Sequence, residues 1–174
     1  MRARHAVHPL LLEPTYWRSR LQGLDLERTY PLITPRPDLS RPGTEVAEYR
    51  LKAHDGERLW GLFARPAWQR GPWPARIRVV APTGGDQRLE ETQGSLEALR
   101  IDVDAVREGT AEFLLLEPVG RRLEDRVLDV VRVCHLAQRT EGVDRLQVSF
   151  SCPGERRAPD EFLIAEQLFA GRFV

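Results

Sequence analysis

Apolar positions first alternate with polar ones along this chain and then move to helical spacing. Val46 to Ala53 and Arg58 to Ala64 both alternate, and His54-Asp55-Gly56-Glu57 lies between them. Asp-Gly between two such runs predicts a β-hairpin, because glycine reaches the positive φ that tight hairpin turns need. Arg76 to Ala81 reads as a strand with Ile77, Val79 and Val80 as its apolar members. From Ser95 to Glu108 the residues Leu96, Leu99, Val103 and Val106 predict a helix, with Ser95 capping its start and Gly109 its end. Glu112 to Glu117 carries the unbroken run Phe113-Leu114-Leu115-Leu116, which fits a strand buried on both faces. Leu123 to Arg139 puts Leu123, Val127, Val130, Val131 and Cys134 on one helical face and stops before Gly142. Arg145 to Phe150 is again strand-like. Pro159-Asp160-Glu161 then opens a last helix with Phe162, Ala165, Leu168 and Phe169 inward.

Ahead of the hairpin, Pro14, Tyr16, Trp17, Leu21 and Leu24 suit one short helix. Pro31, Pro35, Pro37 and Pro42 make Tyr30 to Gly43 an extended arm without helix, a strap over the surface. A hairpin followed by strand, helix, strand, helix, strand, helix is a three-layer α/β layout. An N-terminal antiparallel hairpin joins a mostly parallel sheet, and right-handed crossovers place helices on both faces. The expectation is a single domain over 1–174, with the leading helix and strap in 1–44 and the sheet and helices in 45–174.

Composition narrows the function classes. The 26 basic and 26 acidic residues cancel and are interleaved without a basic stripe, so no nucleic-acid partner is expected. No stretch approaches the ~20 apolar residues of a membrane helix, which gives the expectation of a soluble cytoplasmic protein away from membranes. The two cysteines, Cys134 and Cys152, form no C-x-x-C. Cys134 and His135, adjacent on a helix, point about 100° apart, so neither a metal nor any cofactor is expected from the sequence.

Candidate chemistry concentrates after the last strand. In α/β-type hydrolases a strand turns sharply into a helix at G-x-S-x-G and lifts the nucleophilic serine above the sheet. The five matching positions here are Phe150, Ser151, Cys152, Pro153 and Gly154, with Cys152 at the nucleophile position. A thiol placed before a helix has a lowered pKa. The oxyanion hole, however, normally takes one N–H from the residue after the nucleophile. Pro153 has none. Losing one such donor costs about 2.7–4 kcal/mol of transition-state stabilisation. Pro153 also disfavours the strained turn at Cys152, and Phe150 adds a ring where glycine is wanted. His5 and His8 lie near the start, His54 in the hairpin turn, and His135 on the helix before the last strand. None of them follows the elbow. Gly84-Gly85-Asp86 lacks the spacing of a phosphate loop. Glu90-Glu91 and the Asp102/Asp104 pair read as solvated helix faces, and Trp60, Trp68 and Trp73 as packing around a proline-rich loop.

Three stretches together resemble the acetyl xylan esterase and cephalosporin deacetylase family of α/β-hydrolases. Tyr16-Trp17 with the proline arm is similar to that family's first helix and strap. Tyr49 to Leu62, continuing through Arg65-Pro66, resembles its first hairpin. Asp129-Val130-Val131-Arg132, followed by Gly142-Val143-Asp144-Arg145-Leu146, resembles its D-x-x-R helix and the V-D-x-R-I strand before the elbow. The resemblance implies ester hydrolysis on acetylated sugars. It also implies that the second oxyanion donor comes from a loop beginning His-Gly, where this chain has Pro82-Thr83-Gly84-Gly85. The family's catalytic Asp and His come from strands beyond the helix after the elbow, and the 174 residues end before them.

The expectation is therefore a degenerate esterase-like domain without a complete triad, acting in binding or assembly. Its association surface would be an open sheet edge near 145–150 or 170–174, engaged by a second copy or a second protein. The alternatives are an ester hydrolase using Cys152 with a histidine from a partner chain or His135, and a redox-sensing thiol at Cys152.

Overall fold

The computed structural model describes residues 13–22, 30–80, 101–116, 120–150 and Ile164. Its elements in chain order are α1 (Pro14–Gln22), β1 (Leu32–Pro35), β2 (Thr44–Lys52), β3 (Arg58–Pro66), β4 (Trp73–Val80), α2 (Val103–Arg107), β5 (Ala111–Leu116), α3 (Leu123–Arg139) and β6 (Val143–Phe150). The six strands form one mixed sheet in the order β1-β2-β3-β5-β4-β6. The β1, β2 and β3 pairings and the β3–β5 pairing are antiparallel, whereas β5–β4 and β4–β6 are parallel. This is the predicted antiparallel hairpin joined to parallel strands, but three of the five pairings are antiparallel, so the sheet is mixed rather than mostly parallel.

Strand alternation sorts the apolar side chains into two cores. Tyr49, Leu51, Leu59, Phe63, Ala75, Ile77, Phe113 and Leu115 fill one face together with Trp17 of α1 and the inward side of α3. Val46, Leu62, Ala64, Leu114 and Leu116 fill the other face beneath Val106 of α2. β5 is buried at all six positions, as its continuous apolar run predicts. Phe63 and Phe113 stack with centroids 4.6 Å apart, and Tyr49 reaches across the β3 backbone to donate to the Leu114 carbonyl at 2.8 Å. That crossing requires Gly61, because any Cβ there would lie 1.9 Å from the Leu114 oxygen and 2.4 Å from the Tyr49 ring. Ile164, in the segment predicted as the last helix, is helical and buried in the first core.

Three expectations change. The proline arm is extended, but it is more than a strap: β1 joins the sheet edge against β2, and Arg36 N–H donates to Val46 O at 2.8 Å. Proline is tolerated there because an edge strand leaves every second N–H unpaired. Next, the helix expected over 95–108 does not run unbroken, since Ile101 and Asp102 are outside helix. Asp102 instead caps α2 with its side chain, accepting from Ala105 N–H at 3.1 Å, and pairs with Arg76 at 2.9 Å. It thus stands at the helix cap rather than on the helix face, whereas Asp104 is solvated as expected. The start expected at Ser95 lies outside the described residues.

The third change is in β6. Between the Trp73–Val143 and Ala75–Val148 pairs the register slips, so β4 advances from 73 to 75 while β6 advances from 143 to 148. Opposite the slip stands Pro74, which has no N–H for the ladder. The extra residues form a bulge stitched by Asp144, which accepts from Leu146 N–H at 3.0 Å and from Gln147 at 2.8 Å. Leu146, apolar and in phase with Val148 and Phe150, stands 94% exposed on this bulge, whereas Val148 and Phe150 pack against the core.

Asp102 gives a pH-dependent test of α2. Its carboxyl is held below the usual carboxylate range, first by the Ala105 N–H and then by Arg76. A depressed carboxylate contributes stability above its unfolded pKa of about 4, and the contribution is lost as pH falls through the lower folded value. Asp102→Ala should therefore cost about 1 kcal/mol near neutral pH, the usual worth of an N-cap. In urea melts the deficit should shrink toward zero once the pH lies below the folded pKa.

Candidate functional site

In open α/β sheets, ligands gather beyond the carboxyl ends of the parallel strands. Here that end carries the β2–β3 turn, because Trp60 pairs with Leu116 at the close of β5. The turn is fixed by Ala53 N–H donating to Glu57 O at 2.8 Å and by Gly56 at φ +89°. It presents His54 and Asp55 toward the start of α3. His54 Nε2 lies 3.2 Å from Asp125 Oδ1, their side chains 25% and 22% exposed. Arg121, just before α3, pairs with Asp55 and grips Asp129 with two nitrogens at 2.9 and 2.7 Å. Ligand atoms of His54, Asp55 and Asp125 all lie within 4.8 Å of one another.

The electrostatics of this cluster differ from group to group. Burial disfavours ionisation of Asp55, but Arg121 and the Glu57 N–H outweigh it, so the carboxyl sits below its ordinary range. At Asp129 burial wins and pushes the carboxyl up, with Arg121 pulling back only part of the way. Arg121 itself is held firmly protonated by its two carboxylate partners against the effect of burial.

The residues singled out around the elbow fall differently. Phe150 ends β6 opposite Ile77, its ring packed against the first core. Ser151, Cys152, Pro153 and Gly154 lie outside the described residues, as do Pro82, Thr83, Gly84 and Gly85. His135 lines a groove of about 730 Å³ together with Ile33, Phe63, Arg65 and Glu141. Glu45 and Arg65, paired in register, place that groove at the amino ends of the parallel strands. Phe150 sits four β4 residues farther along, about 13 Å by strand rise. The histidine on α3 therefore lies toward the opposite end of β6 from Phe150. Cys134 is fully buried, and burial pushes its thiol well up, which leaves it protonated.

Sequence reasoning missed Asp125 and Arg121. His54 was legible only as a turn residue, since its partners lie some seventy residues away. The one usable signal was acidic residues in the first turn of a predicted helix.

The sheet order, the antiparallel hairpin and the helices on both faces define an α/β-hydrolase-type fold. No family model matches the chain, and no curated protein does. Among solved structures it is similar to the acetyl xylan esterase from Paenibacillus sp. R4, with a TM-score of 0.60 at 12% identity over 86% of this chain and 53% of that one. It is likewise similar to acetyl xylan esterase 1 from Thermoanaerobacterium sp. JW/SL YS485, with a TM-score of 0.53 at 13% identity over 85% of this chain and 55% of that one. The chain thus spans about half the length of these esterases and shares their fold. No helix among the described residues is long and apolar enough to cross a membrane.

Proposed function

We propose that this chain is an esterase-like α/β-hydrolase domain that acts in binding or assembly and does not turn over esters by itself. The observation that carries this reading is Pro153, directly after the nucleophile position in the sequence that follows β6, a strand in the esterase sheet order. A proline there removes an oxyanion donor that acyl transfer needs. Two further features support it. Phe150 commits a ring to core packing where an elbow needs glycine, and the sequence after β4 reads Pro82-Thr83 where the resemblance implies His-Gly.

The proposed partner is a second copy or another protein that engages the sheet edge at β6. Among the described residues β6 pairs only with β4. An unpaired edge invites another strand, but a bulge blunts it. The pairing segment is therefore assigned to Val148–Phe150 rather than to 144–147, with 170–174 as the other expected edge.

The deciding experiment is hydrolysis of a small acetyl ester by the purified chain beside Cys152→Ala, together with sedimentation at tens of micromolar. Both proteins should stay at background, and the chain should sediment as a dimer unless its partner is a different protein. Turnover lost only in Cys152→Ala would replace this reading with that of an ester hydrolase using Cys152 with a histidine from a partner chain or His135. Rapid labelling of Cys152 near neutral pH without turnover would favour the thiol-sensor reading. A monodisperse monomer would count against a homodimer through the edge.

A further inference from the structure

We propose that His54, Asp55 and Asp125 form a binding site for a divalent cation of the zinc class, independent of the elbow chemistry. Zinc binds imidazole nitrogen and carboxylate oxygen at about 2.0–2.2 Å, so two tetrahedral ligands stand about 3.4 Å apart. His54 Nε2 and Asp125 Oδ1 are already 3.2 Å apart. Asp55 completes a set whose ligand atoms all lie within 4.8 Å. The closure required, from at most 4.8 Å to the tetrahedral spacing, is no more than about 1.4 Å.

Charge supports the same occupant. Arg121 is the cation nearest the cluster, but Asp129 takes two of its nitrogens and balances its charge. Arg121 also pairs with Asp55, so one guanidinium faces the three carboxylates Asp55, Asp125 and Asp129, an excess of negative charge beside His54 that a divalent ion neutralises. One nitrogen with two oxygens suits borderline first-row ions, and it suits neither a thiolate-seeking metal nor calcium with its all-oxygen shell. Asp55 is also oriented from outside the set by Arg121 and by Glu57 N–H at 3.1 Å. Outer partners of this kind orient and tune metal-binding carboxylates. The ligands come from two anchored elements, a hairpin turn locked by Gly56 and the first turn of a long helix.

The test is calorimetric titration of the metal-stripped chain with zinc chloride, beside His54→Ala and Asp125→Asn. One equivalent should bind, each substitution should weaken binding at least ~10-fold, and zinc should raise the melting temperature of the unmodified chain only. Cobalt substitution should give ligand-field bands without a thiolate charge-transfer band. His54→Gln serves as a second variant if His54→Ala melts without a cooperative transition. The proposal is overturned by no binding, by binding that survives both substitutions and so belongs to His5, His8 or His135, or by a thiolate band that assigns the ion to a cysteine.

Discussion

Arg121→Met should lower the free energy of unfolding by about 3–5 kcal/mol, the cost of stranding a buried charge without its partner. Arg121 and Asp129 are 7% and 2% exposed at the side chain, so water cannot replace the missing guanidinium. Burial already holds the Asp129 carboxyl above its ordinary range, and removing Arg121 takes away what pulls it back. The substitution also removes one of the links between the hairpin turn and α3, because Arg121 bridges Asp55 and Asp129, and leaves the His54–Asp125 contact. Arg121→Met with Asp129→Leu should recover most of the loss, since apolar groups of similar volume commonly match a buried ion pair. Urea midpoints for the single and double variants decide this. A double variant as weak as the single one would mean that shape, rather than charge, governs this contact.

Gly61→Val should be at least as damaging, with a loss of about 3 kcal/mol or more, at or beyond the upper end of overpacking effects. The new Cβ meets backbone at 1.9 Å, and backbone cannot rotate away as the end of a side chain can. Relief requires both parting β3 from β5 and moving the Tyr49 ring, which breaks its bond to Leu114 O. Pairing the change with Tyr49→Ala should rescue little, because the Leu114 contact remains. Circular dichroism melts of both variants measure the effect.

Much of the fold was legible because its signals are local. The α3 helix begins and ends where its spacing and the following glycine place it, and β5 sits where four consecutive apolar residues demand burial on both faces. The losses came wherever a distant residue decides. Leu146 looks like a core residue by alternation, yet Pro74 on the neighbouring strand breaks the ladder and turns it outward. Pro74 likewise hid the true start of β4 at Trp73, since proline reads as loop in a single sequence. Asp102 reads as a helix-face acid in the sequence because its partner Arg76 is 26 residues back. The cluster at the β2–β3 turn was illegible for the same reason, as His54 and Asp125 meet only after the whole sheet has formed.

The slip in β6 also makes this strand a tolerant place to add chain. Two fixed pairings, Trp73 with Val143 and Ala75 with Val148, bracket four residues that already leave the ladder. A peptide inserted between Arg145 and Gln147 lengthens an excursion into solvent and moves neither bracket. Phe150 keeps its seat opposite Ile77 whatever is grafted there. The bulge thus offers a display position on this strand, one where a reporter or an affinity tag can ride without disturbing either core.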